Sequence, residues 1–233
     1  MKLQFYKSTS VMNLFGKLKY PLPTILFFTL SASILLYVLL SSSTKLPIYN
    51  ATDFNAELVD TSVQGSLEKH TIANFHLINQ NNEIVTQENY RNKIYVADFF
   101  FTRCPTICPI MANNMKKLQD EFLNEEDVML LSMSVTPVLD SVPVLKKYSK
   151  RHSAIDTKWH ITTGNKKQIY NLARKSFFAA VDQGDGGFQD FIHTPNFILI
   201  DKKKRIRGVY DGSNTNHLTQ LTTDIKTLQG ETP

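Results

Sequence analysis

The chain has 233 residues, 42% of them apolar and 20% charged, which fits one globular domain with or without appendages and excludes a disordered or fibrous polypeptide. Its formal net charge is +5, but Lys2, Lys7, Lys17 and Lys19 place most of that excess in residues 1–20, with no acid beside them. The remainder is near neutral and lacks the broad positive field that nucleic-acid binding by bulk charge requires.

Residues 1–20 read as a basic N-terminus, and residues 21–42 as a transmembrane anchor. From Leu22 to Leu40 the sequence carries no charge over nineteen residues. That is close to the roughly 20 residues of a membrane-spanning helix and longer than the roughly 7–15 of a secretory signal core. No cysteine follows the run, so it is not a lipoprotein anchor, and Ser41-Ser42-Ser43 is only a weak cleavage site. Because positive residues stay on the cytoplasmic side, the expectation is a cytoplasmic N-terminus and a C-terminal domain on the periplasmic (outer) face. In a mitochondrion the equivalent place is the intermembrane space. Residues 43–62 mix Pro47, Asn50, Asp53 and Asn55 without periodicity and read as a linker. Residues 63–233 then form the functional domain.

Within that domain, residues 70–90 predict a hairpin turning at Asn79-Gln80-Asn81-Asn82. Lys93–Phe101 is a nearly continuous apolar run, which predicts a strand buried on both faces. Ile110, Met111, Met115, Leu118 and Phe122 have helical spacing over 109–123. Val128–Val135 predicts a second buried strand. Helices are expected over Val142–His152 and Asn165–Phe178, and Gly184, Gly186 and Gly187 mark a loop. A hairpin with strands Phe197–Asp201 and Ile206–Tyr210 turns at Lys202-Lys203-Lys204-Arg205, read as a solvated tip. A helix over His217–Leu228 closes the chain. Strands alternating with helices, then a late antiparallel pair, predict an α/β thioredoxin-like fold with a central mixed sheet and an N-terminal β-hairpin.

Both cysteines lie in Thr102-Arg103-Cys104-Pro105-Thr106-Ile107-Cys108-Pro109, between the first buried strand and its helix. Sites in open α/β sheets are built from such loops. Cysteines four apart at a helix start share one side, and the positive helix end together with Arg103 favours thiolate. Such a pair can bind a soft metal, cycle with a disulfide, or form a static bridge. A static bridge would close only a short loop and contribute little. A third ligand is wanted for a metal, and thiolates with one imidazole suit copper(I) or zinc. Six histidines are available. His193 stands out because it precedes Thr194-Pro195-Asn196 and the strand after them, where a thioredoxin-like plan faces the cysteine loop. His160, beside Trp159, reads as structural, and His76 as a surface residue of a strand.

Asp98–Pro109 and His193-Thr194, before a strand ending in Asp201, resemble the Sco/SenC family of membrane-anchored copper-binding proteins. Trp159 with Thr163-Gly164 resembles the family's middle, and the likeness covers about residues 63–229. The resemblance implies a copper ion held by Cys104, Cys108 and His193. It implies a metallochaperone for the binuclear copper site of cytochrome c oxidase, with the copper-receiving oxidase subunit as partner. The alternative is a thiol-disulfide oxidoreductase that uses Cys104 and Cys108 as a redox pair on the oxidase cysteines, with a thiol reductant protein as a further partner. The usual redox motif spaces its cysteines by two residues rather than three, which counts against a general reductase, and a peroxidase would want a single low-pKa cysteine. The sequence departs from many relatives at Ile192, where an acidic residue precedes their histidine, and at Thr136-Pro137, where they carry Asp-Pro.

Overall fold

A computed structural model describes residues 22–40, 45–54, 70–180, 187 and 189–231. The basic N-terminus, the cleavage-site serines, most of the expected linker and the glycines at 184 and 186 lie outside the described residues. Two compact units are present, residues 1–44 and 45–233.

The first unit contains α1, Leu22–Leu40, a helix of 19 residues without a charge. Leu26, Phe27, Phe28, Leu30, Ile34, Leu35 and Leu36 are exposed on it. Thr29 and Ser31 donate their hydroxyls to the carbonyls of Leu26 and Phe28, both at 3.0 Å. Side chains are described over 23–36 only, about 21 Å of helix. Among the described residues no helix is long and apolar enough to cross a membrane, so the membrane-spanning part of the expected architecture is not seen there.

The second unit is a seven-stranded mixed sheet in the order β2-β1-β5-β4-β3-β6-β7. Its elements are β1 His76–Asn79, β2 Ile84–Thr86, β3 Ile94–Phe100, α2 Ile107–Glu121, β4 Val128–Ser134, α3 Val142–Arg151, β5 Trp159–Thr163, α4 Lys166–Asn171, β6 Asn196–Ile200, β7 Ile206–Asp211 and α5 Thr215–Gly230. β3 pairs in parallel with β4, and β4 with β5, while β6 runs antiparallel to β3. All seven residues of β3 and all seven of β4 are buried, because helices or loops cover both faces. Tyr95, Ala97 and Phe99 face one core with α4. Val96 and Phe100 face the other with α2, α3 and α5.

The structure corrects the sequence reading in three places. β5 is a strand that the sequence pattern left unassigned, and it joins the hairpin β1–β2 to the parallel core. The helix expected over 165–178 is α-helical only to Asn171 and then widens into a π-turn, Leu172–Ser176. Phe177 and Phe178 are both fully buried, and Phe178 leaves the helix with φ 48°. The compact unit also begins at Lys45, not at residue 63. Tyr49 donates its N–H to Ile206 O at 2.9 Å, Ala51 is buried, and Arg207 donates to the carbonyls of Leu46 and Pro47. Part of the expected linker is therefore packed domain.

Candidate metal centre

The cysteine loop is the connection that leaves β3 and turns into α2. Its start is fixed by Asp140, which is fully buried. Thr102 donates its N–H and its hydroxyl to that carboxylate at 3.2 and 2.6 Å, and Ser134 and Thr136 add hydroxyl bonds of 2.6 and 2.9 Å. One carboxylate thus ties the end of β4 to the mouth of the cysteine loop. The helix begins at Ile107, two residues before Pro109, with Thr106 as its N-cap residue. Cys108 therefore lies in the first turn, where amide N–H groups have no helical partner. Proline is tolerated there for the same reason.

Those free amides set the chemistry of the two thiols. Burial alone would raise Cys104, but the backbone N–H groups of Cys108 and Thr106, the Cys108 thiol and His193 bond to its sulfur, and they bring it down to about 6. The Thr106 hydroxyl lies 3.7 Å from the same sulfur. Cys108 has the opposite fate. Burial pushes it up to about 12, a backbone contact with Phe101 offsets only part of this, and the negative charge of Cys104 and Asp98 adds to it. Both are free thiols, 6% and 4% exposed. The pair is split into an acidic sulfur, Cys104, and a protonated one, Cys108. Cys104 is the sulfur that can attack, and Cys108 the one that can resolve.

His193 arrives from the antiparallel partner of β3. Tyr95 pairs with Ile200 and Ala97 with Ile198. The same register carried on places Thr194 opposite Phe101, so the residue before it stands beyond the end of β3, over the cysteine loop. His193 Nε2 lies 4.0 Å from Cys104 Sγ. Metal–sulfur and metal–nitrogen bonds of about 2.3 and 2.1 Å at trigonal angles put the two donors about 3.8 Å apart. The donors thus fit a soft ion held between them, with Cys108 hydrogen-bonded to Cys104 as the third. Among the described residues no group of three or more His, Cys, Asp or Glu side chains is gathered around one point. The imidazole is exposed and borders Phe101 and Phe191, with ring centres 5.9 and 6.4 Å away.

The other histidines stay away from this point. His160 Nδ1 is 2.8 Å from the Tyr90 hydroxyl, and burial lowers its pKa. His76 is exposed on β1. His70 Nε2 meets Ser176 O at 2.7 Å. Two buried carboxylates near the thiols escaped the sequence reading. No pattern in the sequence singles out Asp140, and Asp98 stands there only within the apolar run and at the head of the Asp98–Pro109 motif. An acid inside a strand buried on both faces was the available signal for Asp98. Burial pushes its carboxyl up to about 7, against a 2.5 Å bond from Ser132 Oγ that lowers it.

A thioredoxin-like protein whose reactive dithiol is faced by an imidazole is the class that this fold and site define. The chain belongs to the SCO1/SenC family, whose model matches residues 63–229. It is 32% identical over 154 residues to the SCO1 protein homolog of Bacillus subtilis, covering 65% of this chain and 79% of that protein. Among solved structures it is similar to BsSco, a member of the Sco family of cytochrome c oxidase assembly proteins in which a disulfide switch was identified. That match has 31% identity and TM-score 0.59, covering 72% of this chain and 98% of the other. Bradyrhizobium japonicum ScoI with copper bound shares the fold, at 21% identity and TM-score 0.54, over 68% of this chain and 99% of that one.

Proposed function

We propose that this chain is a copper metallochaperone that binds copper through the Cys104 and Cys108 thiolates and the His193 imidazole, and passes it to the binuclear copper site of cytochrome c oxidase. The carrying observation is the 4.0 Å approach of His193 Nε2 to Cys104 Sγ. Two relatives support the reading, one an oxidase assembly protein and one holding copper. Copper is cargo here. The thiols must be reduced to load it, and the receiving oxidase subunit must compete for it with donors of its own. The test is copper stoichiometry of the reduced full chain against Cys104→Ala, Cys108→Ala and His193→Ala. One copper per chain is expected, with binding lost or sharply weakened in each variant. Unchanged binding in all three refutes the proposal.

The split between the thiols supports a second reading, reduction of the oxidase cysteines. The Cys104 thiolate would attack a sulfur of the partner's disulfide and expel the other as a thiol. Cys108 would then attack Cys104 and release the second, so two electrons and two protons pass to the partner. A reductant protein would restore the dithiol. This route needs no imidazole. Full restoration of oxidase assembly by His193→Ala would favour it over delivery.

We place the domain on the periplasmic (outer) face, held by the uncharged segment Leu22–Leu40 with the N-terminal lysines inside. Protease added to intact spheroplasts should remove the domain and spare residues 1–20.

A further inference from the structure

His193 is exposed, yet the loop that delivers it is held by a buried ion pair. Arg174 Nη1 and Nη2 donate to the two carboxylate oxygens of Asp190 at 2.6 and 2.7 Å, and both side chains are 5% exposed. Asp190 lies three residues before His193. Its backbone carbonyl is held as well, by Lys166 Nζ at 2.7 Å and by the Tyr170 hydroxyl at 3.2 Å. The same Tyr170 hydroxyl reaches Val135 O at 3.0 Å, at the end of β4. Lys166, Tyr170 and Arg174 are spaced by four and stack on one another, with the Lys166 and Arg174 heads 4.8 and 5.4 Å from the Tyr170 ring centre. Arg174 sits in the π-turn Leu172–Ser176. Such turns recur at functional sites.

A forked pair buried this deeply is costly to desolvate and adds little net stability, so its specific geometry is its main consequence. Between Asp190 and β6 the chain is also held by Ile192 and Thr194, both buried, and by Pro195 O, which accepts from the Gly212 N–H at 2.7 Å. On the stated reading of the site, we infer that Arg174, acting through Asp190, is a positioning residue for His193 and sets how well the imidazole completes the copper site. Neither Arg174 nor Asp190 is a ligand. The fork fixes the loop at one end and β6 fixes it at the other, leaving the ring few places to be except over Cys104.

The test uses the reduced full chain, Cu(I) with a competing chelator, and a cycle of Arg174→Met with His193→Ala. Arg174→Met should weaken Cu(I) binding about 10-fold, and Arg174→Lys should recover part of the loss. In the His193→Ala background Arg174→Met should have no further effect. In the metal-free protein, amide exchange at Phe191–Thr194 should quicken in Arg174→Met while β3 and β4 stay protected, which separates a loosened loop from a failed fold. An equal loss with and without His193, or an unchanged exchange rate, overturns the inference. If His193→Ala weakens binding and Arg174→Met does not, the inference falls alone. If His193→Ala leaves binding unchanged, the ligand reading falls and takes the inference with it.

Discussion

Thr102 gives both of its donors, the amide and the hydroxyl, to the buried carboxylate of Asp140, thirty-eight residues away in the chain. Because Ser134 and Thr136 bond to the same group, Asp140 is the only side chain among these that touches both β4's end and the cysteine loop. Asp140→Ala would leave four donors without their acceptor in a dry place. It should cost about 3–5 kcal/mol in urea unfolding, whereas Asp140→Asn, which keeps some acceptor capacity, should cost about 1–3 kcal/mol. A loss below about 1 kcal/mol for Asp140→Ala would mean that water replaces the carboxylate freely and that the loop is held by other contacts.

The two thiols should separate cleanly in an alkylation experiment on the metal-free, reduced chain. Cys104 is brought down to about 6, so its thiolate fraction rises as pH increases through that value and is nearly complete at pH 8. Cys108, pushed up to about 12, stays protonated over the same range. Iodoacetamide should therefore modify one cysteine, with a rate that is half-maximal near pH 6, and peptide mapping should find the label on Cys104. Cys104→Ser should abolish that step. Equal labelling of both sulfurs at pH 7 would contradict the asymmetry.

What the sequence made legible follows from how far apart the partners are. β3 was visible because burial on both faces leaves an unbroken apolar run, and the cysteine motif because both sulfurs lie in one short loop. β5 was not visible, since Thr162 and Thr163 are polar by type yet buried, and Thr162 satisfies its hydroxyl on Ser132 O at 2.9 Å across the sheet. The π-turn was hidden because Leu172 and Ala173 keep helical spacing, and the positive φ of Phe178, where the helix is left behind, has no signal in a bulky buried residue. Asp140 and Asp190 are read as ordinary loop acids until their partners, distant in the chain, are brought beside them. His193 could be singled out only by placing β6 next to β3, a step that periodicity alone does not supply.

Asp98 should make the domain less stable as the solution becomes more alkaline. Its carboxyl is raised to about 7 in the folded chain, chiefly by burial, while in the unfolded chain it has its ordinary value near 4. Between those values the folded protein keeps a proton that the unfolded protein has released. The stabilisation is therefore full below about pH 4, is lost progressively to about pH 7, and is absent above. Three pH units correspond to an upper limit of about 4 kcal/mol. Asp98→Asn holds the neutral state at every pH and can still accept from Ser132. Relative to the parent, it should gain about 2–4 kcal/mol at pH 8 and little at pH 4, as read from urea midpoints at both. A gap that does not change with pH would show that Asp98 is charged in the folded protein.

Arg207 closes the domain at the edge where sequence alone suggested a free linker. Its guanidinium, with a side chain 2% exposed, donates to Asp201 at 3.0 Å, to Glu231 at 2.7 Å and to the carbonyls of Leu46 and Pro47 at 2.7 and 2.9 Å. One side chain thus joins β7, Glu231 after α5 and residues 46–47 at the start of the compact unit. Removing it leaves buried acceptors unmatched, and Asp201 then has Arg205 as its cationic partner. Arg207→Met should cost about 3 kcal/mol of stability. It should also release residues 45–54, seen as faster amide exchange at Tyr49, whose N–H is bonded to Ile206 O. The cysteine loop lies at the opposite ends of β3 and β6 from this clasp, so the pH profile of Cys104 alkylation should stay where it is. A shift in that profile would mean that the clasp and the thiols are coupled through the sheet.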